Sequence, residues 1–539
     1  MPVAARVRWV LAAATSVVLV ATGCSSGGGG SSSSDTSKTF SYQSSEPQNP
    51  LQPANANEVG GGRIIQNLFK GLVDYDPSNA KIRMQVAKSI DTSDSQTFTV
   101  TLNDGWKFHD GTPVHAKNFV DAWNWAATAS NNQINSSWFS DIEGYKDVHP
   151  ASGQPTTTKM SGLTVTGDLG FTIKLVNKVS YFEYKLGYIA FSPLPDGFFN
   201  DPAGYGQKPV GNGPYQFVSW SHNQQVVTKT FPDYQGVDKP KNGGVVFKMY
   251  NTSEAAYADL QSNNLDVMDQ VPPSALATYK SDLGDRAIDS PQGAIQNIGF
   301  PLYQADWAPP EKAKVRQGLS MAIDRNTITK TVLQGSRAPA SAWVADGVEG
   351  YKAGTCGDFC NFDPAKAKQL ITEGGGVPGN KLTITYNADG GHKEWVDAVC
   401  NSIRQNTGVE CTGDPKPDFK TARAAITGHQ VTGAFRTGWV QDYPLNANFL
   451  SDVYRTGAAS NDFGYSDPQF DADATKADEA PNISDTVTGY QQAEGVLPSG
   501  MPAIPLWYYR TNSGYSTNVQ NVMFDSFGNP AWTQVEVKG

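Results

Sequence analysis

KLTITYNADGGHKEWVDAVCNSIRQ, residues 381–405, holds a strand and a helix in succession. Lys381 to Asn387 is rich in β-branched and aromatic residues and reads as a strand. Glu394 to Gln405 carries apolar residues at helical spacing and reads as a helix. Just before this pair, Val315 to Leu333 (VRQGLSMAIDRNTITKTVL) reads as one long helix. Helices alternating with strands point to an α/β lobe rather than to a bundle or a sandwich.

The same reading extends outward. Thr39 to Gln43 is a strand, and Gly61 to Val73 has Ile64, Ile65, Leu68, Phe69 and Leu72 at helical spacing. Phe98 to Leu102 alternates apolar residues with threonines, with a turn at Asp110-Gly111. Ala116 to Ala127 is an amphipathic helix, and Leu163 to Val176 gives two strands parted at Gly167-Asp168. Pro291 to Phe300 reads as a strand, and Pro502 to Ser516 returns to β character. No internal repeat is visible.

The N-terminus is a targeting segment. Arg6 and Arg8 precede an apolar run, Val10 to Val20, too short to span a bilayer and not followed by a stop-transfer pattern. Small residues then lead into Cys24, the pattern of a bacterial lipoprotein signal, with residues 1–23 removed and Cys24 acylated. The other reading is an ordinary signal peptide with a chance cysteine. Residues 25–37, SSGGGGSSSSDTS, form a flexible tether that cannot bury a core. With no second spanning stretch, the body is expected outside the cytoplasm, held at the membrane by its lipid.

Cysteine usage agrees with export. Beyond Cys24 there are four: Cys356, Cys360, Cys400 and Cys411. An even number implies two disulfides with three connectivities. Pairing Cys356 with Cys360 and Cys400 with Cys411 closes short loops; a zinc site is the alternative, though the spacing is not that of a zinc ribbon. The body of about 500 residues makes about three domains at roughly 150 residues each. Twelve Trp, 22 Tyr and 24 Phe supply ample material for cores and an aromatic cleft. A net charge of −10 without a basic stripe argues against nucleic acid. The histidines are scattered, and neither H-E-x-x-H nor G-x-S-x-G occurs, so nothing calls for catalysis. Asp471 and Asp473 do not make a calcium loop, because Lys476 stands where the sharp turn requires glycine.

One segment invites a binding role. FRTGWVQDYP, residues 435–444, sets Arg436, Trp439 and Asp442 at three-residue intervals on a stretch hinged at Gly438 and ended by Pro444. A surface turn with a stray ion pair is the alternative.

Six blocks in order carry a resemblance across nearly the whole chain: LFKGLVDYD (68–76), LNDGWKFHDGTPVHAKNFVDAW (102–123), PVGNGPY (209–215), EKAKVRQGLSMAIDR (311–325), GWVQDY (438–443) and MPAIPLWYY (501–509). The sequence resembles the solute-binding receptors of ABC importers for oligopeptides and dipeptides. The resemblance implies an α/β fold of two lobes hinged around a cleft, with an extra subdomain inserted in lobe one. Lobe one would comprise 38–75, 190–296 and 505–539, the inserted subdomain 76–189, and lobe two 297–504. It further implies a monomeric receptor that is not an enzyme, needs no cofactor or metal, and hands a peptide to membrane permease subunits.

By the same resemblance, the segment around Gly438 and Val440 would pair its backbone with an extended peptide. Asp442 would take the α-ammonium, which presents three donors. Trp439 would wall a side chain, and Arg436 would meet a carboxylate of the ligand or of the protein. Asn57, Glu58 and Val59 would lie opposite the ligand's N-terminal half, and Asp269 and Gln270 would face the cleft. The motif departs from the family in two places: Val440-Gln441 replaces a small pair, and Leu445-Asn446 follows Pro444 where an acid-proline pair is common. A non-peptide solute (a sugar, a metal chelate or an opine) is the rival within the family; a secreted hydrolase is the rival outside it.

Overall fold

The computed structural model describes residues 35–458 and 460–539. The expected signal segment, Cys24 and most of the expected tether lie outside the described residues.

The stretch at 381–405 folds as its pattern requires. Strand Lys381–Asn387 buries Leu382, Ile384 and Tyr386. Helix Lys393–Thr407 turns Trp395, Val396, Val399, Cys400 and Ile403 inward. It ends at Gly408, whose φ of 78° is the left-handed conformation that glycine adopts without a Cβ penalty. The chain then returns as strand Glu410–Lys416, parallel to Lys381–Asn387. A disulfide joins Cys400 on the helix to Cys411 on that strand, and a second joins Cys356 to Cys360.

These strands belong to a six-stranded sheet in the order 337–339, 503–514, 287–299, 434–440, 381–387, 410–416. A four-stranded sheet joins Thr39–Ser44, Gly244–Met249, Gln225–Thr230 and Tyr215–Ser221 in that order. Another runs 87–92, 97–102, 170–174, 163–167. Helix Ala116–Ala127 covers it, setting Phe119 and Trp123 against Phe171.

Apolar side chains gather in two large cores. One unites the two four-stranded sheets with the C-terminal Val519, Phe524, Val535 and Val537. The other runs from Ile295 to Tyr508 and takes in Tyr181 and Tyr184. The long antiparallel strands Ala287–Gly299 and Ala503–Gly514 link them: Ile288 packs on the first core, while Ile295 and Ile298 lie in the second. The fold is a mixed α/β architecture of two cores joined by these two long strands.

The long helix expected at 315–333 is two helices, Lys312–Met321 and Arg325–Thr331. The apolar rhythm continues across the break, but Asp324 accepts from the Thr327 amide and starts a new helix. The arginines flanking the break are buried and bonded to carbonyls, Arg316 to Met501 and Arg325 to Pro505. Asp471 and Asp473 lie on helix Pro468–Asp478.

Candidate functional site

Strand Ala434–Val440 has one closed edge and one open edge. On one side Phe435 to Val440 pair antiparallel with Gly299 to Ala294. On the other, only Ala434 and Phe435 meet strand Lys381–Asn387. From Arg436 to Val440 the second edge has no strand partner among the described residues. A β-carbon on Gly438 would lie 2.3 Å from the Ile295 carbonyl oxygen, so glycine keeps the closed edge tight.

Just past this strand, Asn448 organises the charges. It sits on helix Asn446–Tyr454 and is fully buried. Its Oδ1 accepts from the Asp442 amide at 2.8 Å and from Trp439 Nε1 at 3.0 Å. Its Nδ2 donates to Asp442 Oδ2 at 3.2 Å and to Asp452 Oδ2 at 2.9 Å. One amide thereby fixes the tryptophan and two carboxylates.

The nearby charge does not balance. Lys185 is ion-paired with Asp141 and acts on Asp442 and Asp452 only at longer range. Three carboxylates thus share one ammonium. Desolvation holds the Asp442 carboxyl above the usual range, partly offset by the Asn448 bond and the Lys185 charge. Desolvation pushes Asp452 up to about 6. Carboxylates in this state gain most from a further cation.

The remaining sequence candidates lie partly on this strand and partly elsewhere in the fold. Arg436 and Trp439 project from opposite faces. Arg436 donates to Gln296 Oε1 at 3.4 Å and has no carboxylate in contact among the described residues. Arg436, Gly438 and Trp439 border a recess of about 270 Å³ with Tyr386 and Phe419. Val440 is exposed. Glu58 caps helix Val59–Leu68 through the Gly61 amide at 2.9 Å, and Asn57 and Val59 flank it in solvent. Asp269 meets Arg63 Nη1 at 2.6 Å and the Tyr42 hydroxyl at 3.0 Å, while Gln270 is exposed. Asp442 and Gln441 border a separate cleft of about 210 Å³, lined otherwise by Tyr75, Tyr188, Asp525 and Phe527 among others.

The family model described as bacterial extracellular solute-binding proteins, family 5 Middle, matches residues 81–461. The chain belongs to this family.

Its relatives include the oligopeptide-binding protein OppA of Bacillus subtilis (strain 168), 24% identical over 497 residues, covering 89% of each chain. The periplasmic murein peptide-binding protein MppA of Escherichia coli (strain K12) is 25% identical over 475 residues, covering 85% of each. Among solved structures, the unliganded open form of an MppA superposes with a TM-score of 0.80 at 22% identity, covering 93% of this chain and 98% of that one. Among the described residues of this family-5 protein, no helix is long and apolar enough to cross a membrane.

Asn448, Asp452, Lys185 and Asp141 escaped the sequence reading. For Asn448 and Asp452 a signal existed: two polar residues four apart on a helix whose other residues are almost all apolar or small. Lys185 and Asp141 lie hundreds of residues away in sequence and carry no local mark.

Proposed function

We propose that this protein is an extracytoplasmic receptor that binds short peptides in the cleft beside Asp442 and delivers them to the permease of an ABC importer. The observation that carries the reading is an open strand edge, Arg436 to Val440, leading to a carboxylate with no cation of its own. An extended peptide pairing antiparallel with that edge would place its α-ammonium at Asp442 and run toward Arg436. At roughly 3.3 Å per residue, this span suits a ligand of about three to five residues whose carboxylate meets the Arg436 guanidinium. The names of the relatives, oligopeptide-binding and murein peptide-binding, support the same ligand class.

The lobes close on the ligand about the two long strands, with the chain crossing near Gln296 and Pro505. The protein binds and releases; it does not transform. The test is mass spectrometry of ligand released by gentle unfolding. A series of short peptides is expected; a single sugar, chelate or opine would overturn the reading.

Cys24 anchors the receptor through its acyl chains, and the Gly/Ser tether gives the body reach. Cys24→Ser should move the protein from the membrane fraction to the soluble extracytoplasmic one. Unchanged membrane retention would remove the anchor from this proposal.

A further inference from the structure

The cleft beside Asp442 continues past the point assigned to the α-ammonium, and its charged lining sets Asp74, Asp76, Asp238 and Asp525 against Lys70 and Arg83. Asn67 and Gln441 both border it and are nearly inaccessible, at 1% and 4% exposure. Each keeps a side-chain oxygen without a donor among the described residues. In Asn67 the orientation is fixed, because Nδ2 donates to the Arg63 carbonyl at 2.9 Å. In Gln441, Nε2 meets Ser526 Oγ at 2.8 Å. A buried acceptor left without a donor costs about 1–3 kcal/mol. Both oxygens are themselves sealed, and the Gln441 carboxamide lies against Gly293, so the acceptor open to a ligand has to come from the charged lining.

Asp525 borders the cavity, and its Oδ1 accepts from the Phe527 and Asn529 amides at 2.9 and 2.8 Å. The cations nearby are committed elsewhere. Arg63 holds Asp269, Asn529 Oδ1 and the Gly528 carbonyl. Arg83 holds Asp74, Asp76 and Asp238, and Lys70 holds Asp74. Desolvation pushes the Asp525 carboxyl up to about 6, against the lowering influence of Arg63 and Lys70. Part of the wall is aromatic: Tyr75 and Phe527 stack at 5.4 Å between centroids, and Tyr188 and Trp532 also line the cavity. Flat aromatic surfaces together with a carboxylate suit a guanidinium on an apolar stem.

We infer that this cavity is a specificity pocket for a cationic side chain on the first residue of the bound peptide, arginine above lysine, with Asp525 as its acceptor. The inference rests on the peptide-receptor reading, because the first residue's side chain branches from the carbon that bears the α-ammonium at Asp442.

Isothermal titration of the purified full chain tests it with four tripeptides: Arg-Ala-Ala, Lys-Ala-Ala, norleucine-Ala-Ala and Glu-Ala-Ala. Arginine should bind about tenfold or more tighter than norleucine, with lysine between them and glutamate weakest. Asp525→Asn keeps an Oδ1 for the two amides, and should erase most of the arginine advantage while moving norleucine-Ala-Ala by about twofold or less. If norleucine binds as well as arginine, the pocket assignment falls and the receptor reading stands. If none of the four binds while other solutes do, both fall. Should Asp525→Asn fail to fold, the wild-type ligand series decides alone.

Discussion

Asp442 and Asp269 are both aspartates that the family resemblance would set at the cleft, yet their surroundings differ. Asp269 already has its cation: Arg63 lies 2.6 Å away, with the Tyr42 hydroxyl at 3.0 Å. Arg63 is itself held by Asn529 and Gly528 and lies over the Tyr42 ring, 5.5 Å from its centroid. That carboxylate is spent on joining the start of the chain to its end. Asp442 has one neutral amide, Asn448, and a distant lysine shared with two other carboxylates. A charge neutralised within the fold contributes to stability. A charge left without a partner is a cost in the empty protein, and a ligand cation can relieve it. On the proposed reading, this difference separates a structural aspartate, Asp269, from a recognition aspartate, Asp442.

The largest effect that would break the comparison is at Asp442. Asp442→Ala in the protein and N-acetylation of the peptide remove the two halves of one contact. Either should cost about 2–5 kcal/mol, roughly 30-fold to several-thousand-fold in affinity. The two penalties should not add, since each removes what the other needs. Titration of the four combinations reads this directly. Additive penalties would mean that Asp442 shapes the cleft without touching the ammonium.

Asp269 should answer in the opposite observable. Asp269→Ala leaves Arg63 with the Asn529 and Gly528 oxygens and the more distant Asp525 charge, and should cost about 1–2 kcal/mol of stability, since the pair is partly solvated. Peptide affinity should stay within about threefold. Thermal melts with and without peptide separate the two effects. An affinity loss rivalling that of Asp442→Ala, with an unchanged melting temperature, would put Asp269 in the ligand's contact list.

The fold was legible where a local pattern decides it. Strand 381–387, helix 393–407 and the Cys400–Cys411 link all sit within one stretch of about 30 residues, and period and spacing are local properties. The break at Ala322–Asp324 was hidden because apolar spacing runs across it; the capping role of Asp324 lay in one side chain. For the candidate site, Asp442 could be read from its segment, but its isolation could not. Whether a carboxylate is neutralised depends on groups such as Arg63 for Asp269, and Lys185 and Asn448 for Asp442, which only the tertiary fold brings near.

The smallest expected effect sharpens the contrast through pH. Asp442 is held above the ordinary carboxyl range, and Asp452, bonded to the same Asn448, titrates at about 6. An α-ammonium at Asp442 favours the charged forms, so binding must expel any proton held there. Affinity contributed this way is present in full above the free protein's value and is lost as pH falls through about 6. One such proton reduces affinity by about fourfold between pH 7.5 and 5.5. In the unliganded protein the sign reverses: a raised carboxyl favours the protonated fold, so Asp452 adds stability as pH falls from about 6 toward the ordinary value near 3.8. Titration across pH 5.5–7.5 with a free peptide and its N-acetylated form checks this. The free peptide should weaken at the acid end while the acetylated form stays level. Parallel curves would show that the protons belong to other groups, and that the Asp442–Asp452 pair is not where the ammonium binds.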